Sequence, residues 1–424
     1  MASGIKINTF RAFKSRNYRL FFTGQSISLI GTWMQKTAIP WVIYVETHSS
    51  FMLGLTVFAT QFPSFLFSLF GGVVSDRYDR YKVLLTTQVL SLVQALLLAI
   101  LVLLHHYTVW EILVVSILLG VINAFDVPAR QALVYDMVDD KNDLSNAIAL
   151  NSSMVNLAKI LGPSLAGLVL AEFGAGICFV INAVSFIAVI ISLLFMRFSR
   201  PIPHNKSKNV IQEFKEGFTY LKATPSIGLI ILFLAIVSLL VLPYNSLFPI
   251  YAKDIFQGKA STFGYLSGSV GVGAIIGTIY LASLKPGANL KKILLVSTLI
   301  FGIGLILFSH VTIFWLACLF AVITGFGMMA QVTVSNTIIQ TTVSPEMRGR
   351  VISYFAMAFF GMLPLGALLI GALSARIGAP NTILAEGILA ILIFGTFLYF
   401  MRKDVVKKKY EIEIEVEDGI LEKV

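Results

Sequence analysis

Apolar residues along this chain fall into twelve long runs rather than short alternations or narrow helical stripes. The runs cover roughly 18–44, 51–75, 83–104, 109–134, 147–171 and 177–197, then 226–250, 263–284, 292–309, 312–342, 348–374 and 380–401. A helix crosses the hydrocarbon core of a bilayer with about 20 mostly apolar residues, so each run predicts one spanning helix. The stretch from Arg200 to Lys222 is too polar to cross, and its amphipathic second half predicts a surface helix. The expected organisation is an arm at 1–17, a six-helix bundle at 18–198, a linker at 199–225, a second six-helix bundle at 226–401 and a tail at 402–424. The tail alternates charge and apolarity and is expected to be solvated and unstructured, with a short strand as the alternative.

The two bundles repeat each other. Gly120 and Val138 match Gly325 and Val343 at one constant offset, and Gly167 and Gly174 match Gly371 and Gly378 at an offset one residue shorter. A diverged duplication leaves such a trace. The predicted fold class is therefore an all-α membrane protein of twelve transmembrane helices in two pseudo-symmetric six-helix bundles.

Composition agrees with lipid as the solvent. A soluble protein carries roughly a quarter charged residues, whereas this chain has 13% charged and 57% hydrophobic residues. Its net charge of +10 is not spread as a nucleic-acid surface would spread it. Bases gather in the N-terminal arm, in the connection holding Arg77, Arg80 and Lys82, in the linker, around Lys285, Lys291 and Lys292, at Arg348 and Arg350, and at Arg402 and Lys403. The connections on the other side hold little beyond Lys253, Lys259 and Arg376. Cytoplasmic loops carry an excess of Lys and Arg, which places both termini in the cytoplasm. The first run is too long for the apolar core of a secretory signal and reads as a retained span. Cys178 and Cys318 lie inside apolar runs and suggest neither a metal site nor a disulfide framework.

The connection Gly72-Val-Val-Ser-Asp76-Arg77-Tyr-Asp79-Arg80-Tyr-Lys82 resembles the signature loop of the major facilitator superfamily, with Asp79 where that pattern has glycine. Two parallel six-helix repeats are also the plan of those transporters. Further segments narrow the resemblance: Asn123-Ala-Phe-Asp126-Val-Pro128-Ala-Arg130-Gln131, Asn146 to Asn151, Gly162-Pro163-Ser-Leu-Ala-Gly167, Glu346-Met-Arg348-Gly349-Arg350-Val351 and Gly378-Ala-Pro380. Together they are similar to the branch of enterobactin exporters and macrolide-efflux permeases. The resemblance covers about residues 10 to 402. It implies a bacterial inner-membrane antiporter that exports a medium-sized amphipathic molecule, a siderophore or a drug, by alternating access. The expected partners are that substrate and the bilayer, with no nucleic acid, and a monomer. No cofactor is expected beyond a proton gradient. A lysophospholipid or glycolipid translocator of the same fold is the alternative.

Charged and polar groups inside spans are expensive and mark function. Asp126 and Arg130 stand four apart with the acid first, the favourable order for a helical ion pair. Asp126 and Glu386 are the candidate proton carriers. Lys36 shares a helical face with Gln25 and Thr32, and Lys159 one with Asn156; with Gln331 and Asn336 they are the candidate cavity residues. Gly72, Asp76, Arg77, Arg80, Arg130, Pro163, Arg348 and Arg350 are the candidate gating residues. The series Gly264, Gly268, Gly271, Gly273 and Gly277 contains Gly-x-Gly, but no strand precedes it; small residues at this spacing fit helix packing. No phosphate loop for ATP is present, and no constellation suits an enzyme.

Overall fold

The computed structural model describes residues 10–105, 107–198, 210–285 and 287–421. The first nine residues, most of the linker's first half and the last three residues lie outside that description. No strand occurs among the described residues. Lipid offers the backbone no partners, so each spanning segment must bond to itself as a helix.

The first half consists of α1 (Arg16–Thr47), α2 (Ser50–Arg77), α3 (Arg80–Leu103), α4 (Val109–Met137), α5 (Leu144–Phe173) and α6 (Ala175–Leu194). The surface helix expected in the linker is α7 (Val210–Ala223). In the second half, α8 (Pro225–Leu240) continues through a 3-10 stretch, the short α9 (Phe248–Ile250) and a π segment, Tyr251–Ile255. There follow α10 (Ala260–Ala282), α11 (Leu290–Ser309), α12 (Phe314–Thr342), α13 (Pro345–Ala356), a second π segment at Met357–Gly361, α14 (Met362–Ile377) and α15 (Ala379–Leu421). Eleven of these segments are long and apolar enough to cross a membrane. The twelfth, α1, has 32 residues, about 48 Å at the helical rise; the polar residues along it lower its apolarity.

Local chemistry sets the helix ends. The Asp79 carboxylate caps α3 by accepting the Tyr81 N–H at 2.9 Å, which accounts for an acid where the signature pattern has glycine. Thr108 and Glu111 form a capping box at the start of α4. Gly174 and Gly378, matched in the sequence repeat, take φ of 80° and 83° between α5 and α6 and between α14 and α15. Both are conformations that a side chain disfavours.

The duplication is visible in the packing. As α2 lies on α4 and α3 on α6, so α10 lies on α12 and α11 on α15. The halves meet along two crossings, α2 with α14 and α5 with α10. The series Gly264, Gly268 and Gly271 faces α5, while Gly273 and Gly277 face the backbone of α12. At Gly167 and Gly264 a β-carbon on either residue would come within 2.7 Å of the other's Cα.

The tail departs from expectation: α15 runs on to Leu421 instead of ending near 401. Between Gly395 and Gly419 no glycine or proline interrupts it, and extending an existing helix costs far less than starting one.

A buried amide network ties the first half together. Gln35 of α1 donates to Gln94 of α3 at 3.0 Å and accepts from Asn182 of α6 at 2.7 Å. Gln94 in turn donates to the Val115 carbonyl of α4 at 3.2 Å. Replacing Gln35 by Leu orphans two buried amides, and each lost partner costs about 1–3 kcal/mol. The expected outcome is a lower melting midpoint of the purified protein, with Gln94→Leu adding little in the double variant because both act on one network. Equal melting of Q35L and the parent contradicts this.

Candidate functional site

Three bases from three helices of the first half converge. The Lys36 ammonium lies 4.7 Å from the centre of the Trp33 ring, and Lys159 of α5 lies 5.8 Å from the same ring. Lys36 also feels the charges of Lys159 and of Arg130 on α4. Both lysines are exposed to solvent although each sits well inside a spanning helix. Both ammonium groups lie over one indole rather than against an acid among the described residues. Trp33 has room there because Gly162 packs against its β-carbon; any side chain at Gly162 would displace it. Pro163 is buried beside this contact.

Arg130 differs from the lysines in having an acid. It lies 3.3 Å from the buried Asp126 carboxylate. That carboxylate also accepts from Thr87 at 3.0 Å and from Gln88 at 2.6 Å, so α3 and α4 share one ion-pair cluster. Thr87 and Gln88 were not singled out in the sequence, because their bond to Asp126 joins α3 to α4 only in the tertiary fold.

The remaining candidates are dispersed. Gln25 is buried with its carbonyl oxygen unbonded, and Thr32 and Asn156 are half-buried. In the second half Gln331 is fully buried with both amide atoms unbonded, while Asn336 accepts from Gln340 at 3.1 Å. Glu386 of α15 is fully buried, neither carboxylate oxygen has a hydrogen-bond partner, and Tyr244 and Tyr251 are its electrostatic neighbours. Ionising it there would strand a charge in apolar surroundings.

The connections on the side of the termini form two separate clusters. Arg80 reaches Asp136 at the end of α4 at 3.3 Å, and Arg11 reaches Asp143 at 3.5 Å. Asp76 and Arg77 are exposed and make no side-chain bond among the described residues. Nothing stands within 4 Å of a β-carbon at Gly72; its neighbour Gly71 is the glycine pressed against the α4 backbone, at Ala124. In the other half Arg350 of α13 pairs with Glu216 of α7 at 2.8 Å. Tyr354 donates to the Phe214 carbonyl at 2.9 Å and stacks on its ring at 4.6 Å. Arg348 is exposed. Among the described residues no ion pair on this side joins the first half to the second.

The opposite side is closed. The Tyr44 hydroxyl of α1 donates to the Asp254 carboxylate in the first π segment, the one side-chain hydrogen bond between the two halves among the described residues. Next to it Trp41 stacks on Phe263 of α10 at 6.0 Å and 13°. Nearby, burial and a 3.0 Å bond to Glu46 push the Tyr107 phenol up to about 12, so it remains a donor at neutral pH. Tyr44, Asp254, Trp41 and Phe263 form a closure that pairs residues far apart in sequence, and no sequence signal pointed to it.

Comparison with known proteins agrees with this two-half plan. Residues 7–416 match the family described as transmembrane secretion effector. The chain belongs to that family of major facilitator transporters. It is 27% identical to the staphyloferrin A transporter of Staphylococcus aureus over 91% of this chain and 96% of that protein. It is 25% identical to macrolide efflux protein A of Streptococcus pyogenes, covering 90% and 96%, and 27% identical to the enterobactin exporter of Escherichia coli, covering 90% of each. Among solved structures, a bacterial homologue of the human lysosomal transporter Spinster in an inward-facing conformation superposes with a TM-score of 0.73 at 15% identity, over 92% and 98% of the chains. A POT family transporter superposes at 0.71 and 14% identity, over 92% and 96%. These two likenesses speak to the fold. The chain is thus a multi-pass membrane transporter and not an enzyme.

In such a transporter, contacts confined to one side are what must open for passage. Tyr44→Phe removes the acceptor-donor link to Asp254 while keeping the ring. With spin labels at Thr47 and Lys259, the expected outcome is a shift of the inter-label distance distribution to longer values in Y44F. An unchanged distribution denies the link a latching role.

Proposed function

We propose that this transporter is a proton-coupled secondary exporter, working by alternating access on a medium-sized amphipathic substrate. The observation that carries the reading is the one-sided closure: the side-chain hydrogen bond and the ring stack between the halves among the described residues, Tyr44–Asp254 and Trp41–Phe263, lie on the side opposite the termini, while Lys36 and Lys159 beside Trp33 are exposed. The charge asymmetry of the loops supports cytoplasmic termini and a bacterial inner membrane, so that the open side faces the cytoplasm and loads from it. Relatives named for siderophore transport and macrolide efflux support an outward direction and a substrate of that size. A proton gradient supplies the energy, and a monomer suffices for the cycle.

Asp126 and Glu386 are the coupling candidates, and Asp126 is the better placed of the two. A proton on Asp126 cancels its attraction for Arg130 and loosens the α3–α4 cluster that Thr87 and Gln88 complete. It also leaves Arg130 free beside Lys36, so one proton changes the charge pattern of the open space. Glu386 sits among tyrosines in the second half, buried and with neither carboxylate oxygen bonded, so carrying a charge there requires the packing to part.

Comparing the small molecules in medium and cell extract, with and without the gene and under iron starvation, tests the export reading. The expected result is one compound lost from the medium and accumulated inside. With that compound identified, the Asp126→Asn variant is expected to lose proton-driven export by about tenfold or more at unchanged abundance and melting. Full transport by D126N excludes Asp126 as the coupling group.

A further inference from the structure

We propose that Lys36, Lys159 and the face of Trp33 form a binding site for an organic anion carrying more than one negative charge. The inference rests on the transporter reading above and adds the substrate class. The ammonium groups of Lys36 on α1 and Lys159 on α5 lie over the same Trp33 ring, Lys36 is also within electrostatic range of Arg130 on α4, and of the three only Arg130 has an acid. The Asp126 carboxylate is already engaged by Arg130, Thr87 and Gln88. No ion pair to Lys36 or Lys159 exists among the described residues. Like charges held close repel, the more so as water between them is replaced by protein, and an anion between them relieves that repulsion.

The geometry is built rather than incidental. Gly162 yields the volume that lets Trp33 stand between the two lysines. With no ligand, the indole holds both ammonium groups by cation–π attraction, worth about 0.5–1 kcal/mol where water reaches. That is weak enough for carboxylates to displace, since a charge-assisted hydrogen bond is stronger. The released indole face then receives a planar or apolar part of the same ligand. Half-buried Asn156 lies one helical turn from Lys159 and adds a neutral hydrogen-bonding group. The two uncompensated ammonium groups repel a cationic drug, so this site selects against the amine-bearing compounds that a purely apolar cavity would accept.

The test uses the full chain in nanodiscs, with citrate and benzene-1,3,5-tricarboxylate as anionic probes and spermidine as the cationic one. Binding is read as quenching of the Trp33 fluorescence, taken as the difference from a Trp33→Phe variant, and independently by calorimetry. Either tricarboxylate is expected to bind, and Lys36→Gln and Lys159→Gln each to weaken it by about tenfold or more. The K36R and K159R variants are expected to retain most of the affinity, which separates charge from packing. Absence of binding by both anions, unchanged binding in the doubly neutralised variant, or preferential binding of spermidine overturns the proposal. Failure here leaves export of a neutral or cationic compound intact, because the comparison of medium and extract reads export whatever the charge of the compound.

Discussion

Two helix crossings, α2 on α14 and α5 on α10, are the constraint on which the rest of the molecule depends. Helices in lipid gain nothing by hiding apolar surface from one another, so association relies on close packing and interhelical bonds. Gly167 against Gly264, and Gly54 against Ala367 of α14, bring backbones into contact there. These contacts lie toward the side away from the termini, where Tyr44–Asp254 and Trp41–Phe263 add a hydrogen bond and a ring stack. The hydrogen bond and the ring stack between the halves thus lie on one side. A packed interface of small residues can slide or rock without exposing large side chains, which suits a cycle that alternates between two closures.

Charge is divided unevenly between the halves. The first holds Lys36, Asp126, Arg130 and Lys159, all within reach of one space. The second holds a polar interior, with Gln331, Ser335, Tyr244 and Glu386 buried and partly unbonded. Unsatisfied polar atoms at such depth cost stability, and the same half holds two π segments, a helix form that collects at functional sites. The linker helix belongs to the second half through Arg350–Glu216 and the Phe214–Tyr354 stack, so it moves with that half.

Much of this was legible in the residue order. Spanning segments were legible because the bilayer imposes a length and an apolarity that few other solvents demand. The duplication was legible at Gly174 and Gly378 because a positive φ is a local requirement that only glycine meets readily. The pair Asp126–Arg130 was legible because four residues is one helical turn. The Gln35–Gln94–Asn182 network and the Tyr44–Asp254 bond were not, since each joins residues from helices brought together only by the tertiary fold. Lys36 and Lys159 could be flagged singly as charges within spans, but their shared indole depends on how α1 crosses α5. The tail was misjudged because its alternating pattern reads as a strand or as solvated chain, whereas the uninterrupted helix before it carries on.

The measurement that most directly tests alternating access is a pair of distance distributions in one set of nanodisc samples, one pair of labels at Tyr78 and Lys285 on the side of the termini, the other at Thr47 and Lys259 on the opposite side. Along a pH series, the account predicts reciprocal changes, the first distance shortening as the second lengthens. Distances that stay fixed, or that lengthen and shorten together, would contradict it.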